Sequence, residues 1–153
     1  MIDILFKGKT TDTKRWIYGS LVVAIVHQCK HYYIISGRTN INDGNIDFEK
    51  FEVIPETVSQ FTGKYINNTR IFDGDILEWF DDYDDFEYIK TSISIGIVFW
   101  DKENLCWGLK DNNNNPICSL SENDPDLDMT MIIGNIYDNP ELLLDYNKQF
   151  TTV

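Results

Sequence analysis

The stretch from Val53 to Leu77 constrains the fold of this chain more than any other part of the sequence. It reads VIPETVSQFTGKYINNTRIFDGDIL and sets short apolar runs between Pro, Gly, Asn, Asp and Thr residues. Asp73-Gly74 favours a tight turn because Gly adopts positive φ without steric cost, and Asn67-Asn68 indicates a loop. Apolar runs of this length between turn signals are typical of β-strands.

The front half of the stretch leaves two local structures open. Pro55 fits the start of one helical turn through Glu56 and Thr57, and it also fits an extended edge strand. Gly63 is predicted to end this segment.

The rest of the chain is also interpreted as short strands. The β-branched run Leu21–Val26 predicts a buried strand, with residues 32–35 as its hairpin partner and the turn near residues 28–30. Residues 93–100 carry the strongest strand pattern in the chain. Residues 37–45 and the acidic segment 81–87 are predicted loops.

The C-terminus differs, because Asn139-Pro140-Glu141 matches a helix start. A short helix is predicted from about Pro140 to Tyr146. We therefore predict a mainly β fold. It comprises an N-terminal β-layer (residues 1–58), a small SH3-like barrel (59–137), and a short C-terminal helix with a tail (138–153).

Charge is distributed unevenly along the chain. The net charge is −12, yet residues 1–40 contain six basic and two acidic side chains, which leaves seven basic and 23 acidic side chains for the remainder. The N-terminal part is therefore expected either to lie against an acidic surface, of its own chain or of a neighbouring subunit, or to be simply solvated. This asymmetry and the 14% aromatic content predict a homo-oligomer.

Overall acidity also bears on partners and on location. Phosphate backbones would be repelled, so a nucleic-acid partner is not expected, although mimicry of nucleic-acid charge is compatible with the composition. Three cysteines without a CxxC pair indicate reduced thiols in a cytosol. No signal peptide and no membrane-spanning run is visible.

We call Val53 to Leu77 the organising stretch. Four of its polar residues are candidates for a ligand or partner site: Glu56, Gln60, Thr62 and Asp75. They could line a pocket. The alternative is that such side chains cap turns and bind backbone amides.

Other candidate sites are weaker. His27, Cys29 and His31 would share a strand face and could bind zinc, but the turn predicted here separates them. The acidic segment 81–87 lacks the Gly of a calcium loop, so a solvated hairpin tip is expected. The four Trp residues are interpreted as core and barrel-seam residues rather than as stacking platforms. No metal and no cofactor is predicted.

No enzyme signature is visible. The sequence contains no GxSxG, P-loop, GxGxxG or HExxH motif. We therefore expect a chain that acts without catalysis.

Several stretches together resemble the YopX family of phage and prophage proteins. They are ILFKGK (4–9) with WIYG (16–19), VIPETVSQFTG (53–63), IFDGDIL (71–77), GIVFWD (96–101) and IIGNIYDNPELL (132–143). Ser59 departs from the pattern, since the family usually has Gly there. The resemblance implies a β-rich protein of the bacterial cytosol and brings no catalytic residues.

The predicted function is that of a non-enzymatic module that binds an unknown host or phage protein. Two alternatives stay open. One is a small-ligand, nucleotide-like binder or sequestering protein, and the other is a metal-dependent hydrolase that uses clustered carboxylates.

Overall fold

The computed structural model describes residues 4–39, 46–85, 88–120 and 129–144 of the chain. The described residues form β-strands, the 3-10 helix Pro55–Thr57 and a helical segment at residues 142–144. The strands are β1 Phe6–Lys9, β2 Trp16–Val26, β3 Cys29–Thr39, β4 Ile46–Glu52, β5 Ser59–Ile66, β6 Thr69–Phe72, β7 Asp75–Asp85, β8 Tyr88–Asp101, β9 Cys106–Lys110, β10 Pro116–Ser119 and β11 Thr130–Asn135.

The strands form two sheets, which confirms the predicted mainly β class. One sheet has the order β4-β3-β2-β1-β5-β6 and the other has the order β10-β9-β8-β7-β11. The second sheet has the five strands of an SH3-like barrel. Its closure into such a barrel is not shown by this strand order and stays a prediction.

The chain divides into two compact units, Met1–Gly63 and Lys64–Val153. The division falls within β5, whereas the sequence predicts a boundary after residue 58. The predicted domain bounds stay a prediction, and each unit is described by itself below.

The β2–β3 hairpin dominates the first unit. Its turn residues His27 and Gln28 have φ values of 48° and 67°, which is the geometry of a tight two-residue hairpin turn. Pairing then runs antiparallel from Val26↔Cys29 to Ser20↔Ile35. The hairpin is confirmed, with its turn one residue earlier than predicted.

The prediction that Leu21–Val26 is a buried strand is wrong. The segment is a strand, but Val23 and Ile25 have 47% and 73% of their surface exposed. The reason is that β1 is shorter than β2. It pairs only with residues 16–19, so the outer part of β2 extends beyond that pairing. Apolar sequence predicts strand structure here but not the presence of a covering layer.

Two predicted loops continue as strands instead. β3 extends to Thr39 and pairs with β4, and residues 40–45 of that predicted loop lie outside the described part. Asp81–Asp85 belong to β7 and pair with residues 88–92 of β8, and residues 86–87 of that predicted loop lie outside the described part. Ladder pairing with a β-branched partner strand outweighs the low strand propensity of Asp.

The turn and helix predictions have mixed outcomes. Asn67 and Asn68 form the predicted turn, with φ values of 48° and 64°. Gly63 does not end its segment, since β5 continues through it with a φ of 84°. Residues 142–144 are helical, and the remainder of the predicted C-terminal helix lies outside the described residues.

Each unit has an apolar core. In the first unit, Ile34 and Val53 are fully or almost fully buried, and Gly8 leaves room for both side chains. In the second unit, seven buried side chains form one cluster, with Trp107 packed against it: Ile66, Ile71, Leu77, Trp79, Val98, Leu109 and Leu120. The described Trp residues thus include one core residue, Trp79, while Trp100 is 42% exposed.

Close backbone approach at Gly19 gives a test of the first unit. A Cβ at this position would collide with the backbone carbonyl of Ile35 on β3. We expect Gly19→Ala to destabilise the protein by about 1–3 kcal/mol, since the strands must separate to admit the methyl group. Chemical denaturation measures this, with Ser20→Ala as the exposed neighbouring control. Equal stability of the two variants would contradict the strand packing described.

Candidate functional site

The four predicted site residues lie in different surroundings. Glu56 is exposed on the 3-10 helix, Gln60 is exposed on β5, and Thr62 is half-buried on the same strand. All three belong to the first unit, while Asp75 belongs to the second and is 4% exposed. A shared pocket for these residues stays a prediction.

Thr57, which the sequence analysis did not single out as a site residue, makes two hydrogen bonds to backbone groups. Its hydroxyl donates to the Ile54 carbonyl at 2.8 Å and accepts the Lys9 backbone N–H at 2.9 Å. Ile54 N–H donates to the Lys9 carbonyl at 2.8 Å. These bonds attach the 3-10 helix to β1. Of the two local structures that the sequence left open at Pro55, the chain therefore adopts the helical turn and not the extended edge strand.

Ser59 continues the same arrangement. Its side chain is fully buried and its hydroxyl donates to the Thr57 carbonyl at 3.2 Å. A buried hydroxyl needs such a partner, because an unbonded polar group loses its hydration without compensation. The position therefore serves the local turn rather than presenting a group to a ligand.

Asp75 fits the capping alternative. Its Oδ2 accepts the backbone N–H of Phe72 at 2.8 Å inside the protein. Gly74 has a φ of 80°, and its N–H donates to the Val98 carbonyl at 2.9 Å. The Asp73-Gly74 turn is thus confirmed, and the described bond of the Asp75 carboxylate closes that turn.

The GNIYDN segment also makes a turn from its own polar groups. Asn135 Oδ1 accepts the backbone N–H groups of Tyr137 and Asp138, both at 3.0 Å. A Cβ on Gly134 would lie 2.5 Å from Oδ1 of Asn139, so this position has no room for a side chain. Three of the sequence blocks that carry the family resemblance, at residues 53–63, 71–77 and 132–143, thus contain turn-closing contacts.

Exposed aspartates close further turns of the second unit. Hydrogen bonds from Asn104 and from Asn115 lower the pKa of Asp101 and of Asp111, respectively, below the ordinary value of 3.8. A lowered pKa means that the ionised form is preferred in the folded state. The stabilisation is present above pH 3.8 and is lost as the pH falls through the folded-state pKa.

The predicted separation of the two histidines is confirmed. His27 lies in the hairpin turn, whereas Nδ1 of His31 lies 2.8 Å from Oε1 of Glu52 on β4. The sequence gives no signal for this pair, because it depends on the β3–β4 register. Within the described ranges, no group of three or more His, Cys, Asp or Glu side chains could hold a metal ion.

The outer end of the β2–β3 hairpin is the most unusual surface of the first unit. Four aliphatic side chains there are 40–73% exposed: Val22, Val23, Ile25 and Val26. Side chains alternate along a strand, so Val23 and Ile25 lie on one face and Val22 and Val26 on the other. We call these four residues the hairpin tip.

The chain segment that contains the hairpin tip carries charge of one sign, and Glu52 of the neighbouring β4 places a carboxylate beside His31. Residues 13–42 contain four basic side chains and no carboxylate, in a chain with 25 acidic residues. The absence of acidic residues from 13–42 is a signal in the sequence that could have indicated an exposed surface here. It was not used because residues 21–26 were predicted to be buried.

A cavity of about 240 Å³ also lies in the first unit. Its lining residues are Thr10, Thr11, Asp12, Lys50, Phe51 and Glu52. None of the four predicted site residues contributes to it. Among the described residues, no helix has the length and apolar character needed to cross a membrane.

The two roles proposed for polar residues of the organising stretch can be separated by stability. We expect Asp75→Ala to lower the free energy of unfolding by about 1–3 kcal/mol, because the buried Phe72 N–H loses its acceptor. Glu56→Ala should change it by about 0.5 kcal/mol or less, since Glu56 is exposed. Urea denaturation measures both. A neutral Asp75→Ala would contradict the capping role.

Thr57 gives a second stability test. We expect Thr57→Val to cost about 1–3 kcal/mol, because the Lys9 N–H then lacks an acceptor in a part-buried site. Thr57→Ser retains the hydroxyl and is the matched control. If both variants lost the same stability, packing of the methyl group rather than hydrogen bonding would hold the 3-10 helix.

Comparisons with known proteins bear on the whole chain. No curated protein matches it significantly. The family model described as YopX protein matches residues 5–144, which covers most of both units and all the motif blocks discussed above except Ile4. The chain therefore belongs to the YopX family.

Proposed function

We propose that this YopX-family chain is a non-enzymatic interaction module that binds another protein through the hairpin tip. The supporting observation is the exposure of four aliphatic side chains on a strand that contains no charged residue. Exposed aliphatic groups gain about 25 cal/mol per Å² when a partner removes them from water. Several exposed apolar side chains on one short segment are characteristic of interaction sites.

The chemistry of the tip favours a protein over other partners. Valine and isoleucine side chains offer no donor or acceptor for base edges or for a polar small molecule. The absence of carboxylates from residues 13–42 favours a partner with negative charge. The partner proposed is thus a protein surface that is apolar at its centre and acidic around it.

The motif residues are less suited to ligand chemistry. The described bonds of Thr57, Ser59 and Asp75 go to backbone groups of the same chain. Polar groups engaged in this way specify the turns of the fold. We propose that the protein acts in the cytosol of an infected or lysogenic bacterium, in keeping with its small number of cysteines and the lack of a CxxC pair.

A photo-crosslinker at position 25 tests this proposal. Benzoylphenylalanine is placed at Ile25 in one variant and at Leu105 in the other, because both side chains are 73% exposed. After irradiation in bacterial cells, we expect polypeptide adducts from position 25 at least tenfold more abundant than from position 105. An adduct supports the proposed function whether the captured polypeptide is a second copy of the chain or another protein.

A substitution provides the control for this experiment. A second, non-crosslinking change of Val23→Asp in the position-25 variant should abolish the adduct, because it places a charge at the contact. Equal crosslinking at positions 25 and 105, or no polypeptide adduct at all, would contradict the proposed function.

A further inference from the structure

We propose that the hairpin tip of one chain docks into an apolar groove on the second unit of another copy. This inference rests on the proposed function and names the partner of the same site. The groove has a volume of about 340 Å³ and is lined by Ile66, Asn67, Thr69, Met131 and Ile132. These residues come from the end of β5, its turn with β6, and β11.

The chemistry of the groove matches the chemistry of the tip. Its lining is mostly apolar, and Met131 is 48% exposed on β11. Methionine adapts its shape to an incoming side chain because it is unbranched and polarizable. The volume is at the lower end of the range of binding pockets, about 300–1,000 Å³, which suits a few aliphatic side chains.

Charge favours contact between unlike units of two copies. Residues 64–153 contain 18 acidic and six basic side chains, whereas residues 13–42 contain four basic and no acidic ones. A hairpin that met another hairpin would bring together surfaces of the same sign. A hairpin that meets the second unit of another copy brings opposite charges together.

The shape of the tip points the same way. Its apolar side chains lie on both faces of a two-stranded ribbon, as the pairings Val23↔Tyr32 and Val26↔Cys29 place them. A groove of about 340 Å³ has room for the side chains of one of these faces, Val23 and Ile25, and removes their aliphatic surface from water.

Such a contact is heterologous, because each copy uses two different surfaces. It either closes into a ring or extends into a filament, depending on the rotation between neighbours. Every copy at an interior position then has one occupied groove and one inserted hairpin. This property permits a test by mixing.

The test uses two full-length variants, Ile25→Asp in the hairpin and Met131→Asp in the groove. Both positions are exposed, so neither change places a charge in a core. Sedimentation velocity at micromolar concentration should show assembly of the unmodified chain. Each variant alone should raise the dissociation constant at least tenfold.

The equimolar mixture is the decisive sample. It contains one intact groove and one intact hairpin, on different chains, and should therefore form a heterodimer that grows no further. Contact between two hairpins predicts the opposite, namely that the Met131→Asp variant assembles by itself and that the mixture contains no heterodimer. That outcome would overturn the inference.

Two controls keep the result interpretable. Leu105→Asp adds the same charge at an equally exposed position and should leave assembly unchanged. Met131→Thr replaces Met131→Asp if the charged variant has lost its circular dichroism signal. An unmodified chain that stays monomeric, or that binds anionic vesicles instead, would overturn the inference. An adduct from position 25 with a different protein would still support the proposed function.

Discussion

The difference in length between β1 and β2 determines which part of the first unit has exposed apolar side chains. β2 is 11 residues long, whereas β1 is four residues long and pairs with residues 16–19 of it. Because β4 pairs with β3 only from Tyr33 onward, strand pairing from Val23↔Tyr32 to Val26↔Cys29 is confined to the two strands of the hairpin. Two-stranded ribbons are marginal by themselves, so burial against a partner would add stability that the unit lacks alone.

The polar motifs have a different role, which is to specify the geometry of the turns. Thr57 and Asp75 each use a side-chain oxygen to accept a hydrogen bond from a backbone N–H that folding removes from water. Such bonds contribute modestly to stability when made but are costly when one partner is removed. Distinctive polar blocks of this kind can therefore serve the turns of the fold. The YopX-type motifs of this chain are consistent with that interpretation.

The sequence was informative where structure is local. Asn67-Asn68, Asp73-Gly74 and the β2–β3 hairpin were predictable because turn geometry depends on the φ preferences of a few neighbouring residues. The burial of residues 21–26 and the loop at residues 81–85 were mispredicted because both depend on which strand lies alongside. The His31–Glu52 contact and the Thr57 bonds depend on pairing between distant segments, and no local pattern encodes them.

The central claim is that the hairpin tip is covered by protein in the functional state. Cys29 is exposed and pairs with Val26 at the tip, while Cys106 is half-buried in the second unit. The alkylation rate of each thiol can be followed by peptide mass spectrometry while the protein concentration is raised from nanomolar to micromolar. The account predicts that the Cys29 rate falls at least tenfold and that the Cys106 rate stays constant. A Cys29 rate independent of concentration, in purified protein and in cell extract alike, would contradict it.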